Sequence, residues 1–287
     1  SDESLREELA QRGYFLSSAN SINWGRVLPQ IVYYISAYCD LLAQGAVTEG
    51  EPVNFCVPTG NFGNILSAFY AKEMGLPVQR FICASNRNNV LTDFIATGKY
   101  DRNRPFYNTV SPSMDILISS NLERLLYLLS GGDDKLVAGY MKELSDTGCY
   151  QVSEEMRKKI QSVFVGGFSS EAETEATIGK MMDEHKYLID THTAVAFHVL
   201  EQYRKETGDQ TKTVVASTAS PFKFCDAVLD ALNVTDKATG TALLDQLAEV
   251  SGMPAPQPLA TLKDKQVRFT SWTEKEQMRA VVTDFLK

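Results

Sequence analysis

One stretch constrains the fold more than any other: residues 53–84 read as strand, turn, helix and strand in turn. Residues 53–57, Val-Asn-Phe-Cys-Val, have the apolar content of a buried strand. A turn rich in Gly and Asn follows, Pro58-Thr59-Gly60-Asn61-Phe62-Gly63-Asn64. Residues 65–74 then have helical spacing, with Ile65, Ala68 and Phe69 on one side, and Gly75 and Pro77 stop them. Residues 78–84 form a second strand. A short strand joined through a crossover helix to another strand is the unit of a parallel sheet.

Elements continue to alternate along the chain. Helices are expected over 121–130, 133–145 and 153–163, and from Ser170 to about 185, where Ser170 and Glu173 have capping-box spacing. A short strand at Leu188 and Ile189, a helix over 193–206 and a strand over 213–216 come next. Ser220 is placed to cap a helix that has Pro221 at its first position and runs to Leu232. Helices over 239–250 and from about 273 complete the chain. The fold class is therefore α/β, an open and mostly parallel sheet flanked by helices.

Composition narrows the function. The chain has 287 residues, 44% hydrophobic and 22% charged, which is enough to bury a core without disulfides or metals. Its 28 Lys and Arg stand against 36 Asp and Glu, a net charge of −8 with no basic run, so neither nucleic acid nor an anionic membrane is an expected partner. Residues 52–71 carry no charge and approach the length of a membrane span, but Asn54, Asn61, Asn64, Pro58, Gly60 and Gly63 would be costly in hydrocarbon. Residues 1–13 are polar and acidic, unlike a signal peptide. Cys39, Cys56, Cys83, Cys149 and Cys225 are odd in number, scattered and without a CxxC pair, as expected of reduced, buried thiols in a cytoplasmic protein. Three His and no His/Cys cluster leave no expected metal site.

Three motifs could carry chemistry. The turn at 58–64 sits between a strand and a helix N-terminus, where backbone N–H groups can cradle an anion such as phosphate; an ordinary tight turn with glycines at positive φ is the competing reading. A nucleoside-triphosphate loop needs Lys and Ser/Thr after its last Gly, and Asn64-Ile65 stand there instead. A dinucleotide loop needs GxGxxG and a later acidic residue, and neither is present. The second motif, Ser217-Thr218-Ala219-Ser220, puts hydroxyls at the C-terminal end of a strand, where parallel sheets bind ligands; Thr218 could bond a ring nitrogen, and Ser220 caps the next helix. The third, Ser18-Ala19-Asn20-Ser21-Ile22-Asn23-Trp24-Gly25-Arg26, offers short polar groups and one Arg to a second dianion, or simply caps a helix. His192 at a helix start reads as structural before catalytic.

Taken together, Asn20-Ser21-Ile22-Asn23-x-x-Arg26, Pro58 to Asn64, and Thr218-Ala219-x-Pro221-x-Lys223-Phe224 resemble the bacterial and fungal branch of the threonine synthase family. That resemblance implies a fold-type II pyridoxal-phosphate enzyme, tryptophan synthase β-like, that turns O-phospho-L-homoserine and water into L-threonine and phosphate. It implies that Gly60, Asn61, Phe62, Gly63 and Asn64 cradle the pyridoxal 5′-phosphate, that Thr218 faces its pyridine nitrogen, and that Asn20, Ser21 and Arg26 grip the substrate phosphate. It also implies a large domain over 29–287 with a helical insertion around 112–185, and a remnant of a smaller domain over 1–28. The family's Schiff-base lysine lies well upstream of the Asn-Ser-Ile-Asn segment. Only 19 residues precede Asn20 and none is Lys, so no catalytic residue is expected within this chain, which reads as the C-terminal part of a longer enzyme and inactive alone. Ser220 and Phe222 stand where the family usually has His and Ala, and Thr191 and Ala196 where it tends to Pro and Gly. Rival readings are a non-catalytic phosphometabolite-binding module, or another fold-type II lyase such as a phospholyase or dehydratase. A dehydratase has no use for a phosphate grip.

Overall fold

The computed structural model describes residues 2–17 and 19–286. The chain opens with α1 (Glu3–Gln11) and α2 (Trp24–Val27), then a 3-10 turn (Leu28–Gln30) that holds Pro29, then α3 (Ile31–Ala43). β1 (Val53–Pro58), α4 (Gly63–Glu73) and β2 (Val78–Ser85) form the expected crossover unit. α5 (Val90–Thr97), β3 (Lys99–Asp101) and a 3-10 turn (Pro112–Met114) lead to α6 (Leu122–Leu129), α7 (Asp134–Thr147), β4 (Cys149–Gln151) and α8 (Glu154–Val163). β5 (Phe164–Phe168), α9 (Glu171–His185), α10 (Thr191–Thr207) and β6 (Thr213–Val215) follow. A 3-10 turn (Pro221–Lys223), α11 (Cys225–Ala231), α12 (Ala242–Ser251), α13 (Gln257–Ala260) and α14 (Met278–Phe285) close the chain.

Four strands pair in the order β5-β2-β1-β6, all parallel, and β3 and β4 make a separate antiparallel ribbon. Parallel pairing puts all four C-terminal ends on one edge, where Pro58 pairs with Ala84 and Ser85 with Phe168. All six residues of β1 are buried, because helices cover both faces of the sheet. Alternation sorts the side chains. Phe55, Val57, Phe81 and Cys83 join the core that includes Ile65, Leu66 and Phe69 of α4, whereas Cys56, Ile82 and Ala84 meet Val195, Ala196, Val199 and Leu200 of α10. Phe164 sits within 6 Å of three other rings, at centroid distances of 5.2 Å to Phe81, 5.7 Å to Phe62 and 5.8 Å to Phe69. Truncating any one of these rings would cost about 3–5 kcal/mol.

Several expectations are corrected. The interval 112–185 is not purely helical, since it supplies β5 to the main sheet and β4 to the ribbon. β5 contains Gly166 and Gly167 because helices press on it. A Cβ on Gly166 would lie 2.8 Å from Thr92 Cα, and one on Gly167 2.6 Å from Val199 Cγ1. Leu188 and Ile189 form no strand; both are buried in a second core with Ile178, Phe222 and Leu229, so their apolarity reflects burial rather than pairing. The helix expected from Ser220 to Leu232 is interrupted at Phe224, although Ser220 Oγ does accept the Phe222 N–H at 3.3 Å. Of the five thiols, all unpaired, Cys56, Cys83 and Cys225 are buried, Cys149 is half-buried and Cys39 is exposed. Among the described residues, no helix is long and apolar enough to cross a membrane.

Candidate functional site

The loop after β1 occupies the C-terminal edge of the sheet. Thr59 N–H donates to Ala84 O at 2.8 Å and its hydroxyl to Val57 O at 2.7 Å, which fixes where the chain leaves the strand. The competing reading, a tight turn with its glycines at positive φ, is not what forms: neither Gly60 nor Gly63 has positive φ, and Phe62 does, at 63°. That conformation costs a non-glycine residue about 1–2 kcal/mol. The Phe62 ring, 1% exposed and packed on Phe164, holds it in place.

Gly60 and Gly63 are needed for a different reason, close approach by two walls. A Cβ on Gly60 would meet Ser113 O at 2.8 Å and Met114 Cα at 3.3 Å. One on Gly63 would meet Ser21 Cβ at 2.5 Å and Ser21 Oγ at 2.7 Å. The loop's carbonyls are occupied: Ser119 Oγ donates to Gly60 O at 2.8 Å, and Asn121 donates to Asn61 O from its backbone N–H at 3.1 Å and its side-chain Nδ2 at 2.8 Å. Among the described residues the N–H groups of 60–65 find no protein acceptor, and no side chain caps α4. Unbonded donors at a helix start are groups that an anion could satisfy, and the helix dipole favours negative charge there.

Asn20, Ser21 and Arg26 differ in what they do. Asn20 Oδ1 accepts the Ile22 N–H at 2.9 Å, and Asn23 Oδ1 caps α2 through the Gly25 N–H at 2.9 Å. Arg26 is exposed and bonds back to the Ala19 carbonyl. Ser21 alone reaches the loop, lying against Gly63 and accepting from Asn121 Nδ2 at 2.8 Å. Ser18 lies outside the described residues.

Thr218 is exposed beyond β6, and its hydroxyl has no protein partner among the described residues. Its neighbour Ser217 accepts from Thr193 Oγ1 at 3.2 Å, and Thr193 in turn bonds to Asp190, the cap of α10. Thr218 and Asn64 line one pocket of about 460 Å³ together with Tyr34 and Ser217. Tyr34 donates to Asn64 Oδ1 at 2.6 Å. Burial pushes the Tyr34 phenol far above its usual range, so it stays protonated and keeps that amide turned. Of residues 60–64, Asn64 is the one that lines this pocket with Thr218.

His192 is a brace. Its Nδ1 lies 3.0 Å from Asp190 Oδ1, its Nε2 accepts the Ser113 N–H at 3.2 Å, and its ring packs on Phe224. It thereby holds the turn that covers Gly60. Ser113, Ser119, Asn121 and Arg124 were not foreseen. The available signal for the first three was the set of uncharged polar residues Ser111, Ser113, Ser119, Ser120 and Asn121 flanking the apolar residues Ile116, Leu117 and Ile118; nothing local marked Arg124.

Comparison with known proteins bears on the family and the fold. Residues 193–282 match the family model "Threonine synthase, C-terminal". Human "Threonine synthase-like 1" is 46% identical over 84% of this chain and 32% of its own length. Threonine synthase of Saccharomyces cerevisiae is 37% identical over 76% of the chain and 45% of its own. Among solved structures, PLP-bound threonine synthase from Brucella melitensis superposes with a TM-score of 0.78 at 35% identity, covering 99% of this chain and 54% of that one. Yeast threonine synthase gives 0.79 at 32% identity, covering 95% and 54%. The chain thus spans between a third and about half of the relatives it matches. By sequence and by fold, this chain belongs to the threonine synthase family.

Proposed function

We propose that this chain supplies the pyridoxal 5′-phosphate site of a threonine synthase-type lyase acting on O-phospho-L-homoserine. The observation that carries the reading is the loop 60–65, whose amides are unbonded at an uncapped helix start while its carbonyls are tied down. The residues fit the cofactor. Gly60, Asn61, Phe62, Gly63 and Asn64 would hold its phosphate, and Thr218, across the shared pocket, would bond its ring nitrogen without forcing protonation. Bound pyridoxal phosphate supplies an electron sink for carbanion chemistry. Ser21, Asn20 Nδ2 and the remaining Arg26 N–H groups would hold the departing substrate phosphate, and donors fixed in advance ease the loss of a dianion. The proton-moving lysine that the family resemblance calls for has no counterpart in the quoted motifs, so turnover by this chain alone is not expected.

A second reading, a related lyase acting on a different phosphorylated amino acid, draws support from Ser220 and Phe222 and from the greater identity to proteins named threonine synthase-like, 46% against 37%. Both readings share the cofactor test. The chain should bind pyridoxal phosphate saturably, and Thr218→Val should weaken binding by about 5–10-fold, the worth of one hydrogen bond. Phosphate release from O-phosphohomoserine should be absent. Unsaturable binding would remove the reading. Steady turnover, or a borohydride-trapped adduct on a lysine of this chain, would mean the chemistry lies elsewhere.

A further inference from the structure

Two of the proposed anion-binding segments, 19–26 and 60–64, are held in register by residues assigned to neither. Asn121, fully buried, precedes α6 and touches both. Its Nδ2 donates to Ser21 Oγ at 2.8 Å and to Asn61 O at 2.8 Å, and its Oδ1 accepts from Arg124 Nη1 at 2.9 Å. Arg124 continues the clamp, donating to Ser21 O at 3.3 Å and to the Ile22 carbonyl. Both N–H groups of the side-chain amide are thus engaged and its oxygen accepts one bond, and its orientation is set by the guanidinium.

This arrangement does something neither segment can do alone. Segment 19–26 is largely exposed, and its own bonds are short-range: Ile22 and Asn23 N–H to Asn20, Gly25 and Arg26 N–H to Asn23. Those bonds shape the segment, and the Trp24 ring rests edge-on against Tyr70 of α4 at 5.2 Å, but neither bonds the segment to the loop itself. Gly63 allows Ser21 to close against the loop, but contact only limits approach and does not prevent retreat. Asn121 and Arg124 supply the opposing pull, from a helix start some hundred residues away in sequence.

We propose that Asn121 and Arg124 are positioning residues that set the distance between the Ser21 segment and the 60–64 loop. This rests on the reading that both segments serve one cleft. It assigns them no contact with substrate or cofactor.

The test uses the whole 287-residue chain and two variants, Asn121→Asp, nearly isosteric but without the donor, and Arg124→Lys at a half-buried site, which keeps the charge but loses the guanidinium fork. The first readout is amide hydrogen exchange at Ile22, Asn23, Gly25 and Arg26. Loss of one such tie should speed exchange there by about 5–10-fold and leave β1 and β2 unchanged. The second is titration with inorganic phosphate and, separately, with pyridoxal phosphate. The wild type should saturate with each, and Arg124→Lys should raise the inorganic-phosphate concentration for half-saturation by about 5–10-fold. Should Asn121→Asp fail to fold, Arg124→Lys decides alone. Wild-type rates at 22–26, a uniform rise across β1 and β2, or faster local exchange with unchanged phosphate binding would each overturn the proposal. A wild type that binds neither probe overturns the functional reading instead, and the exchange result then judges the clamp by itself.

Discussion

Adding one methyl group at Gly63 separates a steric account of this loop from a conformational one. Gly63 has an ordinary helical φ, so a glycine needed only for backbone freedom would be replaceable there, and Ala would even gain about 0.5–1 kcal/mol from helix propensity and a less flexible unfolded chain. The packing predicts the opposite. The new Cβ would lie 2.5 Å from Ser21 Cβ, about 1 Å inside normal contact, and Ser21 Cβ cannot swing aside because it is anchored to the backbone. Segment 19–26 must move, against the ties from Asn121 and Arg124. Overpacking of this kind costs about 1–3 kcal/mol, which leaves a net loss of about 1–2 kcal/mol for Gly63→Ala. Urea unfolding measures it, and Trp24 gives a local signal, since its ring meets Tyr70 of α4 edge-on at 5.2 Å. Two controls sharpen the result. Gly139→Ala, in α7 with nothing within 4 Å of the new methyl, should stabilise by about 0.5–1 kcal/mol. Ser21→Gly removes both clashing atoms, so the double variant should be at least about 1 kcal/mol more stable than the sum of the single changes. A Gly63→Ala chain as stable as the wild type, or a loss that Ser21→Gly leaves unrelieved, would refute the close-approach argument.

Two further outcomes can be checked on the same chain. Asp209 is partly buried, which pushes its carboxyl up, but bonds from Thr211 at 2.9 Å, Tyr203 at 2.7 Å and Asn54 at 2.9 Å outweigh this and hold it well below the usual carboxylate range. A carboxyl lowered on folding stabilises above its unfolded pKa of about 3.9 and loses that contribution as pH falls, so Asp209→Asn should cost about 1–3 kcal/mol at pH 7 and progressively less below about pH 4, read by urea unfolding at both pH values. Burial pushes the Cys83 thiol up to about 12 and the Cys56 thiol higher still, whereas Cys39 is exposed; a thiol reagent should find one fast site that Cys39→Ser removes, and reaction of Cys56 or Cys83 in the native chain at a comparable rate would contradict the burial.

How much of this was legible in the sequence depends on where the causes lie. The β1–α4–β2 unit was readable because its signal is local: an apolar run, two glycines and an asparagine-rich turn, then helical spacing stopped by Gly75 and Pro77. β5 was hidden because the glycines that α5 and α10 demand of it erase the side-chain pattern by which a strand is recognised. The site divides the same way. Residues 60–64 and Thr218 stand out as candidates by motif and strand-end position, and of these Asn64 and Thr218 line one pocket. Which residue would carry the positive φ was beyond local reading, because Phe62 is kept there by Phe164, a hundred residues on.

A loop of this composition folded in isolation would satisfy its amides with its own carbonyls or with water. Here Ser119 and Asn121 bond the Gly60 and Asn61 carbonyls from outside, Ser113 and Ser21 close on the two glycines, and the amides are left without a partner among the described residues. The donors are written in residues 60–65, but their availability is written in residues 113–124, and no spacing rule links the two. The availability of these amides is therefore a property of the packed chain. If the loop holds an anion as proposed, substitutions at Ser119 or Asn121, which bond the loop's carbonyls rather than its amides, should weaken that binding as surely as substitutions in the loop.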